Sequence, residues 1–141
     1  MAATSSRQPK IIVLDDDPTG SQTVHSCLLL TKWDTDTLRI GLADPSPIMF
    51  VLTNTRSLTP EDATSVTREV CRNLKPAITA EGIQEFMIVS RSDSTLRGHY
   101  PIETDAIAIE DLVGHELVAV EVDRQHLRCD EVDPGRRACL A

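Results

Sequence analysis

Short unbroken apolar runs alternate along this chain with longer stretches whose apolar positions recur every three or four residues. The runs are Ile11–Leu14, Cys27–Leu30, Ile48–Leu52 and Phe86–Val89. Each is short, flanked by polar turns and rich in branched residues, the pattern of strands buried on both faces. Asp34–Leu42 reads as a helix with Leu38 and Leu42 on one face. Thr59-Pro60-Glu61-Asp62 has a helix start: a hydroxyl cap, proline in the first turn, then acids against the dipole. Ala63, Val66, Val70 and Leu74 follow at helical spacing, which predicts a helix to about Lys75, with Pro76 kinking it or opening a second helical turn. Pro101 opens a further helix through Ile109, with Ile102, Ala106 and Ile109 on one side.

Strands without alternation, separated by amphipathic helices, predict an α/β fold: a three-layer, Rossmann-like arrangement around a mostly parallel sheet. Met1 to about residue 9 is small and polar and reads as a disordered lead. Residues 10–112 form the expected domain. From 113 to 141 the pattern changes. Leu117–Val122 suits a fifth strand, but Asp123-Arg124-Gln125-His126 and Asp133-Pro134-Gly135-Arg136-Arg137 show little periodicity. That tail is expected to be divergent and disordered.

Composition narrows the function classes. Of 141 residues 40% are apolar and only 3% aromatic, so the core must be aliphatic. A net charge of −8 with a pI near 4.9 argues against general nucleic-acid binding, since a polyanion is repelled. No apolar run approaches the roughly 20 residues of a membrane span, and no apolar leader follows Met1. The expectation is a soluble cytoplasmic protein without nucleic-acid or membrane partners. Cys27, Cys71, Cys129 and Cys139 form no Cys-x-x-Cys pair. Cys27 and Cys71 fall in apolar patterns and read as buried thiols. His115, His126, Cys129 and Cys139 match no common zinc spacing, so no metal site is expected there.

The chemistry-bearing residues sit where strands end. Ile11–Leu14 runs into Asp15-Asp16-Asp17-Pro18-Thr19-Gly20, and Phe86–Val89 into Ser90-Arg91-Ser92-Asp93-Ser94-Thr95-Leu96-Arg97-Gly98-His99-Tyr100. Open α/β sheets place ligands at such strand ends. Arg56, Arg91 and Arg97 offer forks for a carboxylate or phosphate. Ser92, Ser94 and Thr95 offer hydroxyls, and Asp16, Asp17 and Asp93 can accept from a ligand's hydroxyls. Asp15 is expected to cap its own loop, Thr19 and Gly20 to shape that turn, and His99 and Tyr100 to pack or cap.

Two family resemblances bear on these residues. Ile11-Ile12-Val13-Leu14-Asp15-Asp16-Asp17-Pro18-Thr19 resembles the first motif of the haloacid dehalogenase superfamily, and Phe50-Val51-Leu52-Thr53-Asn54 its second. That resemblance implies a Mg²⁺-dependent phosphatase with Asp15 as nucleophile and Asp17 as acid/base. It also requires a lysine and a late acidic pair after strands, whereas Lys75 falls in a helix and Glu110-Asp111 follows no strand.

Asp16–Val24, Thr53–Ser57 and Ser90–Pro101, taken in order, cover more of the chain. Together they resemble the four-carbon acid sugar kinase family, specifically its N-terminal sugar-binding domain, over roughly residues 10–109. The resemblance implies ATP-dependent phosphorylation of threonate, erythronate or their oxo forms, with ATP and Mg²⁺ in the complete enzyme. It makes Asp16, Asp17, Arg56, Arg91, Ser92, Asp93, Ser94 and Arg97 candidate sugar-acid ligands. Asp16 or Asp17 is the first candidate to accept the hydroxyl proton, and Asp93 the second; the sequence does not choose between them. The family's nucleotide site lies in a separate glycine-rich domain. This chain has no Gly-Lys-Ser/Thr phosphate loop, so no cofactor is expected on it alone. The resemblance fades near Glu110. The expectation is a truncated domain (a fragment, a splice variant or a mispredicted gene end) that is inactive alone, either as a pure binding module or as a nonfunctional fragment.

Overall fold

A computed structural model describes residues 9–19, 25–92 and 98–110, and the backbone of 116–119. Five strands form one parallel sheet in the order β2-β3-β1-β4-β5. They are β1 (Lys10–Asp15), β2 (Leu28–Leu30), β3 (Ile48–Leu52), β4 (Phe86–Arg91) and β5 (Glu116–Ala119). Three helices accompany them: α1 (Thr35–Ala43), α2 (Pro60–Ala80) and α3 (Ile102–Ile109). This is the α/β architecture that the unbroken apolar runs predict. The fifth strand pairs with β4 through Met87–Glu116 to Ser90–Ala119, so the sheet continues past residue 112.

Strand register explains the core. Ile12 lies beside Met49 and Ile88, and Leu14 beside Val51 and Ser90. Side chains at paired positions share a face. This face carries the core of Ile12, Leu14, Met49, Val51 and Ile88, packed against Leu38 and Leu42 of α1, Val70, Cys71 and Leu74 of α2, and Ile107 of α3. The three described helices therefore lie side by side on one face of the sheet. A second helical layer is not among the described residues.

Local chemistry sets the helix ends. The Asp34 carboxylate accepts from the Thr37 amide at 2.9 Å and caps α1. Thr59 accepts from the Asp62 amide at 3.2 Å and caps α2, with Pro60 in the first turn. α2 does not stop at Lys75. It runs through Pro76 to Ala80. Proline inside a helix removes one hydrogen bond and costs about 3 kcal/mol. Here Cys71, Leu74, Ala77 and Ile78 bury a continuous face across it, and burying a full aliphatic side chain contributes about 1.5–3 kcal/mol. The packing outweighs the break. α2 ends when Gly82 takes φ +63°; its amide bonds Thr79 O at 3.2 Å and the Ile83 amide bonds Ile78 O at 3.2 Å. Those two bonds form a Schellman motif.

The face of α3 also differs from the sequence expectation. Glu103, Ala106 and Ile107 point inward, while Ile102 is partly exposed and Ile109 is 63% exposed. A carboxylate, not an isoleucine, occupies the inner first turn, because two buried hydroxyls await it there. Cys71 is fully buried and its thiol is pushed up to about 12, chiefly by burial. Cys27, expected to be buried, is only half-buried. Among the described residues no helix is long and apolar enough to cross a membrane.

Candidate functional site

β1 sits between β3 and β4, so the chain changes direction across the sheet there. In parallel sheets the crevice at such a switch point, at the strands' carboxyl ends, is where ligands bind. Asp15, Leu52 and Arg91 end the three strands in register. Every loop leaving that rim carries polar side chains.

The β1 loop is held by its own aspartates. Asp15 is 1% exposed; one carboxylate oxygen accepts from the Asp17 amide at 3.3 Å and the other from Arg91 Nη1 at 3.3 Å. Burial pushes the Asp15 carboxyl up, opposed by the Asp17 amide and the Arg91 charge. Asp15 therefore does cap its loop. The Thr19 amide donates to the Asp17 carboxylate at 2.9 Å, an Asx turn that closes the next step.

The β3 loop comes to meet it. The Thr53 amide and hydroxyl both donate to Asp15 O, at 2.9 and 3.0 Å, and the Arg56 amide donates to Asp16 O at 3.3 Å. Asn54, in the left-handed region at φ 53°, turns the chain into a single 3-10 turn at Thr55–Ser57. That turn brings the Arg56 guanidinium onto both acids. Nε and Nη2 bond the two oxygens of Asp16 at 3.1 and 3.0 Å, and Nη1 bonds Asp17 at 2.5 Å. Residues 40 positions apart in sequence become one charge cluster.

The β4 loop is tied in through a residue the sequence reading missed. Glu103 on α3 is 5% exposed and accepts from the Ser92 and Thr55 hydroxyls, one on each carboxylate oxygen. Thr55 in turn meets Thr53 Oγ1 at 3.2 Å. His99 Nε2 supplies its proton to Thr55 O and Leu58 O, at 3.1 and 2.9 Å, so it caps the 3-10 turn. Leu14, Asp16, Thr53, Thr67, Ser90, Ser92, Glu103 and Ile107 line a gap with no room for a water molecule. Beneath the rim the network is thus closed. The signal for Glu103 was present: it stands three and four residues before Ala106 and Ile107, on their face. An acid in a first helical turn reads more naturally as a partner of the helix dipole.

The structure thus brings together Asp16, Asp17 and Arg56, joins Arg91 to them through Asp15, and places Ser92 beneath. Asp93, Ser94 and Arg97, together with Gly20 and Thr95, lie outside the described residues. Lys75 lies within α2, and Glu110 caps α3 while pairing with Arg72 at 3.0 Å. Neither reaches the rim, and Asp15 is shut away from attack. The phosphatase arrangement is not assembled among the described residues.

Residues 11–122 match the sugar-binding N-terminal domain family. The chain belongs to that family. Its role is sugar binding, and its ligand is a small-molecule sugar. The match includes β5 and runs beyond residue 109, about where the likeness carried by the sequence motifs alone ends. No curated protein and no solved structure matches the chain. For a sugar-binding domain the rim is apt, since carboxylates and hydroxyls recognise polyols and an arginine with open donors recognises an anion.

Proposed function

We propose that this chain is the sugar-acid-binding part of an ATP-dependent kinase acting on four-carbon acid sugars such as threonate, erythronate or their oxo forms. One observation carries the proposal. Asp16 and Asp17 from the β1 loop and Arg56 from the β3 loop meet at the carboxyl end of the sheet, 3.0 Å apart at the Asp16 pair, in a chain of the sugar-binding family.

The described residues do not fit ATP. The β1 turn offers Asp15, Asp16 and Asp17, where a phosphate loop offers backbone amides and a lysine. Nor do they fit Mg²⁺: Asp16 and Asp17 already share the Arg56 cation, and the described residues include no group of three or more side chains able to hold a metal. The chain's own contribution is to bind and orient. Asp16 or Asp17 receives the hydroxyl to be phosphorylated and accepts its proton; phosphoryl transfer depends chiefly on such positioning and on charge neutralisation. The proposal extends to Asp93, Ser94 and Arg97 in the β4 loop. It sets the protein in the cytoplasm, where thiols such as Cys71 stay reduced.

Calorimetry with D-threonate, L-erythronate and their oxo acids tests this, beside a coupled assay for ATP consumption. We expect binding of at least one acid and no turnover by the 141-residue chain alone. Absence of binding to every acid would overturn the substrate class. Turnover by the chain alone would overturn its role as the binding part only.

A further inference from the structure

We infer that the two described arginines of the rim divide the ligand between them: Arg91 takes its carboxylate, while Arg56, anchored on buried Asp16, holds the more exposed Asp17 in place to receive its hydroxyls. The inference rests on the sugar-acid reading above and gives the bound molecule a direction.

Arg56 is committed. All three of its guanidinium nitrogens bond carboxylate oxygens, two of them as a fork on Asp16, and its side chain is 24% exposed. Gripping a ligand carboxylate with Arg56 would mean breaking a bidentate pair whose acid is almost fully buried. Separating a buried pair in that way is strongly unfavourable.

Arg91 is different. Its only hydrogen bond among the described residues is a long one, Nη1 to Asp15 at 3.3 Å, and its side chain is 34% exposed. Nε and Nη2 keep their donors. A planar fork with two open donors at a ligand-binding rim is the geometry that carboxylates select. The cluster that Arg56 organises is acceptor-rich, which suits hydroxyl groups. The two halves adjoin, because the Asp15 carboxylate lies between the Arg91 guanidinium and the Asp17 amide. Arg91 ends β4 and Arg56 follows β3, with β1 between. Their backbones are thus about two strand spacings, about 10 Å, apart. A four-carbon chain with oxygens at both ends can touch both arrangements once the side chains reach inward.

The test compares each acid with its uncharged amide. Calorimetry of the full chain is run with D-threonate, L-erythronate and the two corresponding amides. The wild-type protein should prefer acid over amide by at least about tenfold, the range of a charge-assisted hydrogen bond. Arg91→Gln should erase that preference, and Arg91→Lys, which keeps the charge but loses the fork, should restore part of it. Arg56→Gln should weaken acid and amide by similar factors and leave their ratio intact, as a positioning residue would. If Arg56→Gln does not fold, the two Arg91 variants decide alone. Preference retained in Arg91→Gln overturns the division, as does preference lost in Arg56→Gln but kept in Arg91→Gln. A wild-type chain that binds neither acid nor amide overturns the sugar-acid reading itself, a result distinct from binding with the wrong arginine in control.

Discussion

The two ends of the sheet bury polar groups to opposite purpose. At the amino end Lys10 is buried at the start of β1, and its ammonium donates to Asp44 O at 2.9 Å and Ser46 O at 2.6 Å. Burial lowers its pKa, and the nearby Asp44 charge opposes that shift. The arrangement has one cation and two carbonyls and locks the α1–β3 turn to β1. At the carboxyl end Asp15, Asp16 and Asp17 share Arg56 and Arg91, and a second tier of hydroxyls rests on Glu103. Among the described residues Arg91 keeps open donors there. A structural polar cluster is closed and balanced. Among the described residues the rim is closed beneath and presents the open Arg91 donors above, as suits a ligand site.

The sharpest break in this comparison should come from Glu103. Glu103→Leu strands the Ser92 hydroxyl in the interior and leaves Thr55 only its contact with Thr53. A buried unsatisfied group costs about 1–3 kcal/mol and a lost hydrogen bond about 1 kcal/mol, so about 3 kcal/mol of stability should be lost in urea denaturation. Glu103→Gln can accept from one hydroxyl and donate to the other, and should lose about 1 kcal/mol. Equal losses from the two variants would mean that Glu103 matters for volume and not for its bonds. Lys10→Met probes the other end. It leaves two carbonyls unpaired and should cost about 2 kcal/mol, with sugar-acid affinity unchanged. A loss of affinity in Lys10→Met would show that the two ends are coupled.

The smallest effect concerns pH. Asp15 has its carboxyl raised above 3.8 in the folded chain. Between that raised value and 3.8 the folded protein holds a proton that the unfolded chain has released. Stability from this residue is therefore present at low pH and declines as pH rises through the folded value. Asp15→Asn removes the dependence, so its stability relative to wild type should improve as pH rises from 3.8 through the raised folded value. Denaturation curves at several pH values check the sign; a relative loss on raising pH would mean that the Arg91 pair outweighs burial.

Much of the fold was legible in the sequence because a strand in a parallel sheet is buried on both faces and shows as an unbroken apolar run. The helix start at Thr59-Pro60 was legible because capping is local. The length of α2 was not, because only tertiary packing of Ala77 and Ile78 carries a helix across Pro76. Nor was the face of α3, where a buried acid breaks the apolar rule. Among the candidate site residues, Asp16, Asp17 and Arg56 stood out by type and by the order of their loops. Their mutual pairing was not legible. It depends on Asp15 and Leu52 ending their strands side by side, a register no local pattern encodes.

The most direct test of the central claim is an amide chemical-shift titration of the isotopically labelled chain with D-threonate and with L-erythronate. The account predicts saturable shifts at Asp16, Asp17, Arg56, Arg91 and Ser92, with Lys10, Asp44 and Ser46 unmoved. Shifts concentrated at the amino end, or none with either acid, would contradict it.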